Sequence, residues 1–269
     1  QIVEELNEKF PQIIFFPFKK RQAKISIINQ LTENAKNEIL IFTDTKVFFR
    51  KSTIFHLVKH FKNKDIGIAG GILINNKSDK SGIYIQEDAY MSREMKIKYN
   101  EGIIWGCSMG VFGAVYAIRP DYFKKIPSNY KVDDFYISLN VLKNNKKVIF
   151  SKDALADEIL TGNIKEEFKR KVRISTGNFQ NLKAFFSVLF QIQKPYVFSF
   201  WSHKVIRWLG PFLFFIMMIS LFLLFHIQAY KIIFLVLLGT FLFPLFDLLF
   251  SLVKINIIPF RYITHFYAM

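Results

Sequence analysis

Residues 209–225 contain no charged side chain, and the run continues to Ile227 past His226. At 1.5 Å per residue a helix of this length covers roughly 25 Å, close to the hydrocarbon thickness of a bilayer. A second apolar run, 232–253, is interrupted by Pro244 and Asp247. These two runs absorb much of the hydrophobic fraction of 51% and many of the 32 phenylalanines, more than a soluble core requires. The expected layout is therefore a polar N-terminal part joined to two membrane helices. Between them, residues 185–200 are apolar but hold Gln191, Gln193 and Lys194 and are broken by Pro195, which suits a helix lying in the membrane interface. The units expected are a catalytic domain over 1–184, an interfacial segment over 185–208 and a membrane region over 209–269, with the boundary near 181–185.

Charge orients this layout. The chain carries 37 Lys and Arg against 21 Asp and Glu, a formal net charge of +16. Such a balance fits nucleic acid, anionic lipid or a phosphorylated ligand. Lys169, Arg170, Lys171 and Arg173 cluster just ahead of the apolar region, and Arg207, Lys254 and Arg261 flank the runs, whereas the connection 226–231 is nearly neutral. The positive-inside rule then places the N-terminal part and the C-terminus in the cytoplasm. Basic residues gathered beside a membrane argue against nucleic acid, which would need them interleaved with exposed aromatics on one face. The 166–182 segment itself has two readings, a lipid-binding and topology-setting collar or a cationic cradle for a departing diphosphate. Asp247 within a span either reaches the interface through helix tilt or faces a polar path.

The single cysteine, Cys107, excludes an internal disulfide and a cysteine zinc cluster, and reads as a small buried hydrophobe. The chain begins at Gln1 with no signal peptide ahead of it, and reads as a fragment.

Along the N-terminal part, helical spacing of Ile27, Ile28, Leu31 and Ala35 predicts a helix over 25–36. Residues 38–43 read as a buried strand that delivers Asp44 to its carboxyl end, where α/β sheets place ligand groups. A helix over 52–61 with Ser52 as N-cap, a strand over 66–74, a surface helix over 84–99 and a glycine-punctuated stretch over 105–119 follow. The next helix, 135–143, has Asp133 and Asp134 in its first turn, placed either for capping and dipole or as a catalytic base. A short strand over 147–150 completes an α/β pattern.

Taken in order, several motifs resemble those of the membrane-bound family 2 glycosyltransferases, the group of cellulose, hyaluronan and poly-N-acetylglucosamine synthases. Arg21-Gln-Ala-Lys24 followed by Asn29 is similar to the family's Arg-x-Gly-Lys and Leu-Asn. Ile41-Phe-Thr-Asp44 is similar to the strand leading to its Asp-x-Asp metal motif. Gly113-Ala-Val-Tyr-Ala-Ile-Arg119 is similar to its Gly-x-x-x-Ala-x-Arg. Val132-Asp133-Asp134 stands where it has Thr-Glu-Asp, and Arg170-Lys171-Val-Arg173-Ile174 where it has Gln-x-x-Arg-Trp. Ser202-His-Lys-Val-Ile-Arg-Trp208, leading into a membrane helix, also recurs in the group. Three positions depart from the pattern: Lys46 replaces the second metal-motif acid, Ala23 a glycine and Ile174 a stacking tryptophan. The family's first strands, with their uridine-contacting Asp, are not found before Gln1.

The resemblance implies a partial, Rossmann-like GT-A domain followed by an interfacial helix and two transmembrane helices. It also implies inverting transfer of a glycosyl group from a nucleotide-sugar to a glycan or lipid acceptor. Asp134 would be the base with Asp133 beside it. Lys24, Asp44, Arg170, Lys171 and Arg173 would hold the nucleotide-sugar and its diphosphate, and Gly113, Trp105 and Ile174 would border the acceptor. Asp44 would bind Mg²⁺ or Mn²⁺, with Lys46 either solvated or a partial substitute for the ion. Membrane lipid would be a partner, and the location a bacterial inner membrane with the catalytic domain on its cytoplasmic side. The competing expectation is a catalytically silent membrane scaffold descended from such an enzyme.

Overall fold

The computed structural model describes residues 2–75, 83–158 and 164–252, with side chains masked at a few helix and strand ends. A short helix α1 (Ile2–Lys9) and an irregular stretch lead to α2 (Lys24–Asn34), which buries Ile25, Ile28 and Asn29. Asn29 fixes this helix to a distant loop: its Nδ2 donates to the Ile126 carbonyl at 2.8 Å, and its Oδ1 accepts from the Ile126 N–H at 3.0 Å. Burial of an amide is tolerated here because both ends of it are satisfied.

Among the described residues five strands form one mixed sheet: β1 (Leu40–Thr43), β2 (Val47–Phe49), β3 (Ile66–Asn75), β4 (Val115–Ile118) and β5 (Lys147–Glu158), in the order β1-β4-β3-β5-β2. Only β3 and β5 run parallel, and the other pairs are antiparallel. The central strands carry continuous apolar runs. Ile68, Ala69, Val115, Tyr116, Ala117 and Ile118 are fully buried, as expected of a sheet covered on both faces. β1 departs from the expectation of a buried strand. It lies at one end of the sheet order and is only partly covered, because a run of four apolar residues does not reveal how many neighbours it will have.

Residues 44–46 connect β1 directly to β2, although these strands lie at opposite ends of the pairing order. Four Cα steps reach roughly 15 Å at most, whereas four strand spacings in a flat sheet need about 19 Å. The sheet must therefore curl at this end, and the turn bearing Asp44 and Lys46 closes over it.

Among the helices, α3 (Thr53–Val58) continues into a 3-10 turn over Lys59–Lys62. Ser52 stands at its N-cap position but makes no side-chain cap bond. α4 (Ile83–Trp105) is longer than expected, and its Glu94, Lys98 and Glu101 are buried rather than on the surface. α5 (Asp134–Lys143) is almost wholly buried after its first residue. β5 is three times the expected length and runs on through residues 151–158.

α6 (Ile164–Ala184) carries the basic cluster. After it the chain makes a 3-10 turn over Phe186–Phe190, the short helix α7 (Pro195–Ser199), a π turn over Phe200–Val205 and then α8 (Ile206–Leu223). This stretch is not one interfacial helix. Phe185, Val188, Leu189, Val197, Phe200 and Val205 join the same core as α5, while Phe186, Phe190, Ile192 and Phe198 point outward. The continuous helix over Pro195–Leu223 is long and apolar enough to cross a membrane. α9 (Gln228–Leu252) packs beside α8, with Phe214 stacked on Phe241 at 5.9 Å, and its apolar stretch among the described side chains is the shorter Gln228–Phe243. The side chains of Pro244 and Asp247 lie outside the described residues.

Candidate active site

A cleft of about 1000 Å³ opens between α2 and the carboxyl end of β1. Its walls include Lys24, Ile28 and Leu31 from α2, Thr43, Asp44 and Lys46 from the turn, and Gly113 ahead of β4. An adjoining hollow of about 610 Å³ is lined by Ile14, Phe16, Phe18 and Leu31, with Lys36 its one charged residue, and so offers little acid–base chemistry.

Four chain segments bring charge to the cleft: α2, the turn after β1, the start of α5 and the end of β5, which contributes Glu158. Lys24 opens α2, and its Nζ lies 2.8 Å from Asp44 Oδ1 and 3.8 Å from Asp133 Oδ2. Burial alone would lower the Lys24 pKa, but the carboxylates of Asp133, Asp44 and Asp134 outweigh it and raise the pKa. Asp133 precedes α5 and Asp134 begins it. Asp134 Oδ1 accepts from the Phe135 N–H at 2.7 Å. A Cβ added at Gly113 would lie 3.5 Å from Asp134 Oδ2, so the Asp134 carboxylate stands directly behind the cleft wall. Its pKa is raised, first by burial and then by the charge of Asp133, against the opposing effects of Lys98, the Phe135 N–H and Lys24. Tyr116, stacked on Phe42 at 4.7 Å, buries its hydroxyl with no hydrogen-bond partner among the described residues, and Asp133 Oδ2 shares that condition.

The structure therefore gathers Lys24, Asp44, Lys46, Gly113, Asp133 and Asp134. The other sequence candidates lie elsewhere. Trp105 ends α4 and packs edge-on against Phe198 at 5.6 Å. Arg173 Nη1 donates to the Lys131 carbonyl at 2.9 Å, two residues before Asp133. The same face of α6 grips the 129–131 loop through Gln180, whose Nε2 donates to the Asn129 carbonyl and whose Oε1 accepts from the Lys131 N–H, each at 2.9 Å. Gly177 lies so close to Val132 that a side chain would collide with it. Arg170, Lys171 and Ile174 occupy the same helix, partly exposed.

The donor set does not by itself fit a divalent ion. Asp44 and Glu158 are the carboxylates that line the cleft, Asp44 already carries the Lys24 ammonium, and Lys46 adds a second cation. Among the described residues no three His, Cys, Asp or Glu side chains converge into a metal cluster. Hard-cation sites in proteins are built from several oxygen ligands.

Lys98, buried in α4 and acting on Asp134, was not recognised from the sequence. The one available signal was the placement of Glu94, Lys98 and Glu101 at helical spacing along a single face, which reads equally as a solvated stripe.

Residues 1–126 match the model for glycosyl transferase family 2. No curated protein matches the chain significantly in sequence. Among solved structures, the fold is similar to the mannosyltransferase PcManGT from Pyrobaculum calidifontis, determined with GDP-Man and Mn²⁺, with a TM-score of 0.55 and 14% identity. The similarity covers 67% of this chain and 50% of that one, so the chain spans about half the length of that structure. Glucosyl-3-phosphoglycerate synthase from Mycobacterium tuberculosis, determined with Mn²⁺ and uridine-diphosphate-glucose, is more distant, with a TM-score of 0.39, 11% identity, and coverage of 63% of this chain and 56% of that one. The chain thus contains a GT-A-like α/β domain with a mixed sheet, and its first 126 residues are similar in sequence to glycosyl transferase family 2.

Proposed function

We infer that the protein transfers a glycosyl group from a nucleotide-sugar to an acceptor hydroxyl, with inversion, at the cytoplasmic face of a bacterial inner membrane, in polysaccharide or glycolipid synthesis. The observation that carries this reading is the pairing of two ammonium groups on the cleft wall, Lys24 and Lys46, with the half-buried Asp134 carboxylate behind Gly113. Direct displacement at an anomeric carbon needs those two things. The acceptor oxygen forms its bond to carbon, its proton passes to Asp134, and the carbon–oxygen bond to the diphosphate breaks with its electron pair leaving on the diphosphate. A carboxylate whose pKa is raised by burial and by a neighbouring acid is a better proton acceptor than a solvated one. The ammonium groups of Lys24 and Lys46 stabilise the charge that develops on the leaving group. Arg173 supports the site by holding the loop before Asp133, and Arg170 and Lys171 on the same helix extend the positive field.

Membrane attachment through Pro195–Leu223, with α9 as a second crossing, supports an acceptor that is itself a lipid or a growing glycan. No step is drawn through a divalent ion, since the donor set does not make up a site for one. The deciding experiment is turnover of a panel of sugar nucleotides by the full chain in membranes. Release of nucleoside diphosphate from at least one donor is expected. Tight donor binding without any turnover would favour the silent scaffold.

A further inference from the structure

The helix α6 has two unlike faces. One is occupied: Arg173 Nη1 donates to the Lys131 carbonyl, Gln180 grips Asn129 and Lys131, and Gly177 lies against Val132, the residue before Asp133. The other is apolar and open, with Phe168, Val172 and Phe179 being 66%, 51% and 41% exposed. At about 100° per residue these three lie within about 40° of one another around the helix axis, whereas Arg173, Gly177 and Gln180 stand about 120–180° from Phe168. A stripe of large apolar side chains facing outward marks a contact surface.

Charge and placement together say what covers it. From Phe168 to Ala184 the chain carries five basic residues, Lys169, Arg170, Lys171, Arg173 and Lys183, and no acidic one. Lys169 and Lys183 are exposed. They fall about 60–100° from Phe168, on one flank of the stripe, where a lysine stem lies along apolar surface while its ammonium group reaches outward to an anion. Phe179 packs edge-on against Phe212 of α8 at 6.0 Å, so the stripe is continuous with the helix that is long and apolar enough to cross a membrane. Lys204 Nζ and Arg207 Nη1 donate to Glu94 at 2.6 Å and 3.0 Å, which fixes the start of that apolar run against α4. Phe212 lies about 7–8 Å beyond Arg207 along the helix axis. A helix lying in the membrane interface buries its apolar face to that same depth.

We propose that α6 is a docking helix for anionic phospholipid: it lies along the membrane surface with Phe168, Val172 and Phe179 in the lipid and Lys169 and Lys183 at the headgroups. This rests on the reading of Pro195–Leu223 as a membrane crossing. It moves the interfacial role from the 185–208 segment to α6, since Phe185, Val188, Leu189 and Val197 of that segment are buried in the core. The bilayer surface then lies one helix diameter, about 10 Å, from the loop that ends at Asp133.

The test attaches a fluorophore to single cysteines in the full chain, Cys107 being buried and giving little background. Val172→Cys is the reporter, and Phe168→Cys replaces it if it does not fold. Phe215→Cys on α8 is the membrane reference, and Lys51→Cys ahead of α3 the aqueous one. Each is reconstituted in phosphatidylcholine vesicles with and without phosphatidylglycerol. Quenching by phospholipids spin-labelled high on the acyl chain is compared with quenching by aqueous iodide. With phosphatidylglycerol present the α6 probe is expected to follow the Phe215→Cys reference, and Lys169→Gln and Lys183→Gln should each lower the ratio of docked to undocked helix about fivefold. Iodide quenching equal to that of the Lys51→Cys reference overturns the proposal. So does the same lipid quenching with and without phosphatidylglycerol, or a ratio that neither lysine variant changes. A probe shielded from both quenchers means that protein covers the face, and overturns it as well. If Phe215→Cys also escapes lipid quenching, the membrane crossing itself is removed; if that reference is quenched, failure at α6 is failure of this proposal alone.

Discussion

At the residue scale the chemistry turns on a few side chains that burial has altered. Asp134→Asn is expected to lower turnover by about 10²–10⁴-fold while leaving nucleoside diphosphate binding nearly unchanged. Asp133→Asn should be milder, because Asp133 acts on Asp134 and Lys24 through charge. Rate and equilibrium binding measured on the same preparations separate the two. Lys46 is expected to weaken any dependence on a divalent ion. With Lys24 already on Asp44 and Lys46 beside it, donor binding should respond shallowly to Mg²⁺ or Mn²⁺, and Lys46→Asp should steepen that response. Superimposable metal titrations of the two proteins would show that Lys46 points away from the donor.

At the scale of elements, two helices hold the site from opposite sides. α6 reaches the loop before Asp133 through Gly177, Gln180 and Arg173. Gly177→Ala would ordinarily favour a helix, but here the new methyl meets Val132, so it is expected to cost about 1–3 kcal/mol and to reduce turnover. Thermal unfolding and rate, read together, check this. α4 meets α8 through Glu94. Glu94→Gln leaves the buried ammonium groups of Lys204 and Lys98 undercompensated, and the expected loss is roughly 3–5 kcal/mol. Burial would raise the Glu94 pKa, but His203, Lys204 and Lys98 together hold it well below the usual carboxylate range. A depressed carboxylate stabilises the fold above its unfolded pKa and loses that contribution only as pH falls through the folded value. The stability gap between native and variant should therefore persist at neutral pH and begin to narrow only below about pH 4. A gap that closes near neutrality would show that the cluster does not protect Glu94.

At the scale of the molecule, the α/β domain and the helix over Pro195–Leu223 are one packed unit, since Phe135, Phe200 and Trp208 meet in a single aromatic contact. Topology is testable with a cysteine reporter because Cys107 is 2% exposed and gives little background. Ile227→Cys, in the connection between α8 and α9, should react with a membrane-impermeant maleimide added outside intact cells. Labelling only after lysis would invert or remove the proposed crossing.

Much was legible in the sequence because it rests on local patterns. The charge-free apolar run specified one helix long and apolar enough to cross a membrane, strand-length apolar segments specified β1 and β3, and the turn after Thr43 and the start of α5 located Asp44, Asp133 and Asp134. Periodicity could not tell that Glu94, Lys98 and Glu101 face inward, since a charged stripe looks the same whether water or cations satisfy it. Nor could it find β2, which is three residues long and exists because β5 runs on far enough to pair with it. Trp105 and Arg173 were plausible by order along the chain, but order does not fix distance: packing sent Trp105 to Phe198 and Arg173 to the Lys131 carbonyl. The sequence determined which residue types were available for the chemistry and the membrane. Only the tertiary structure decided which of them meet, because burial, pairing and the curl of the sheet depend on contacts between residues tens of positions apart.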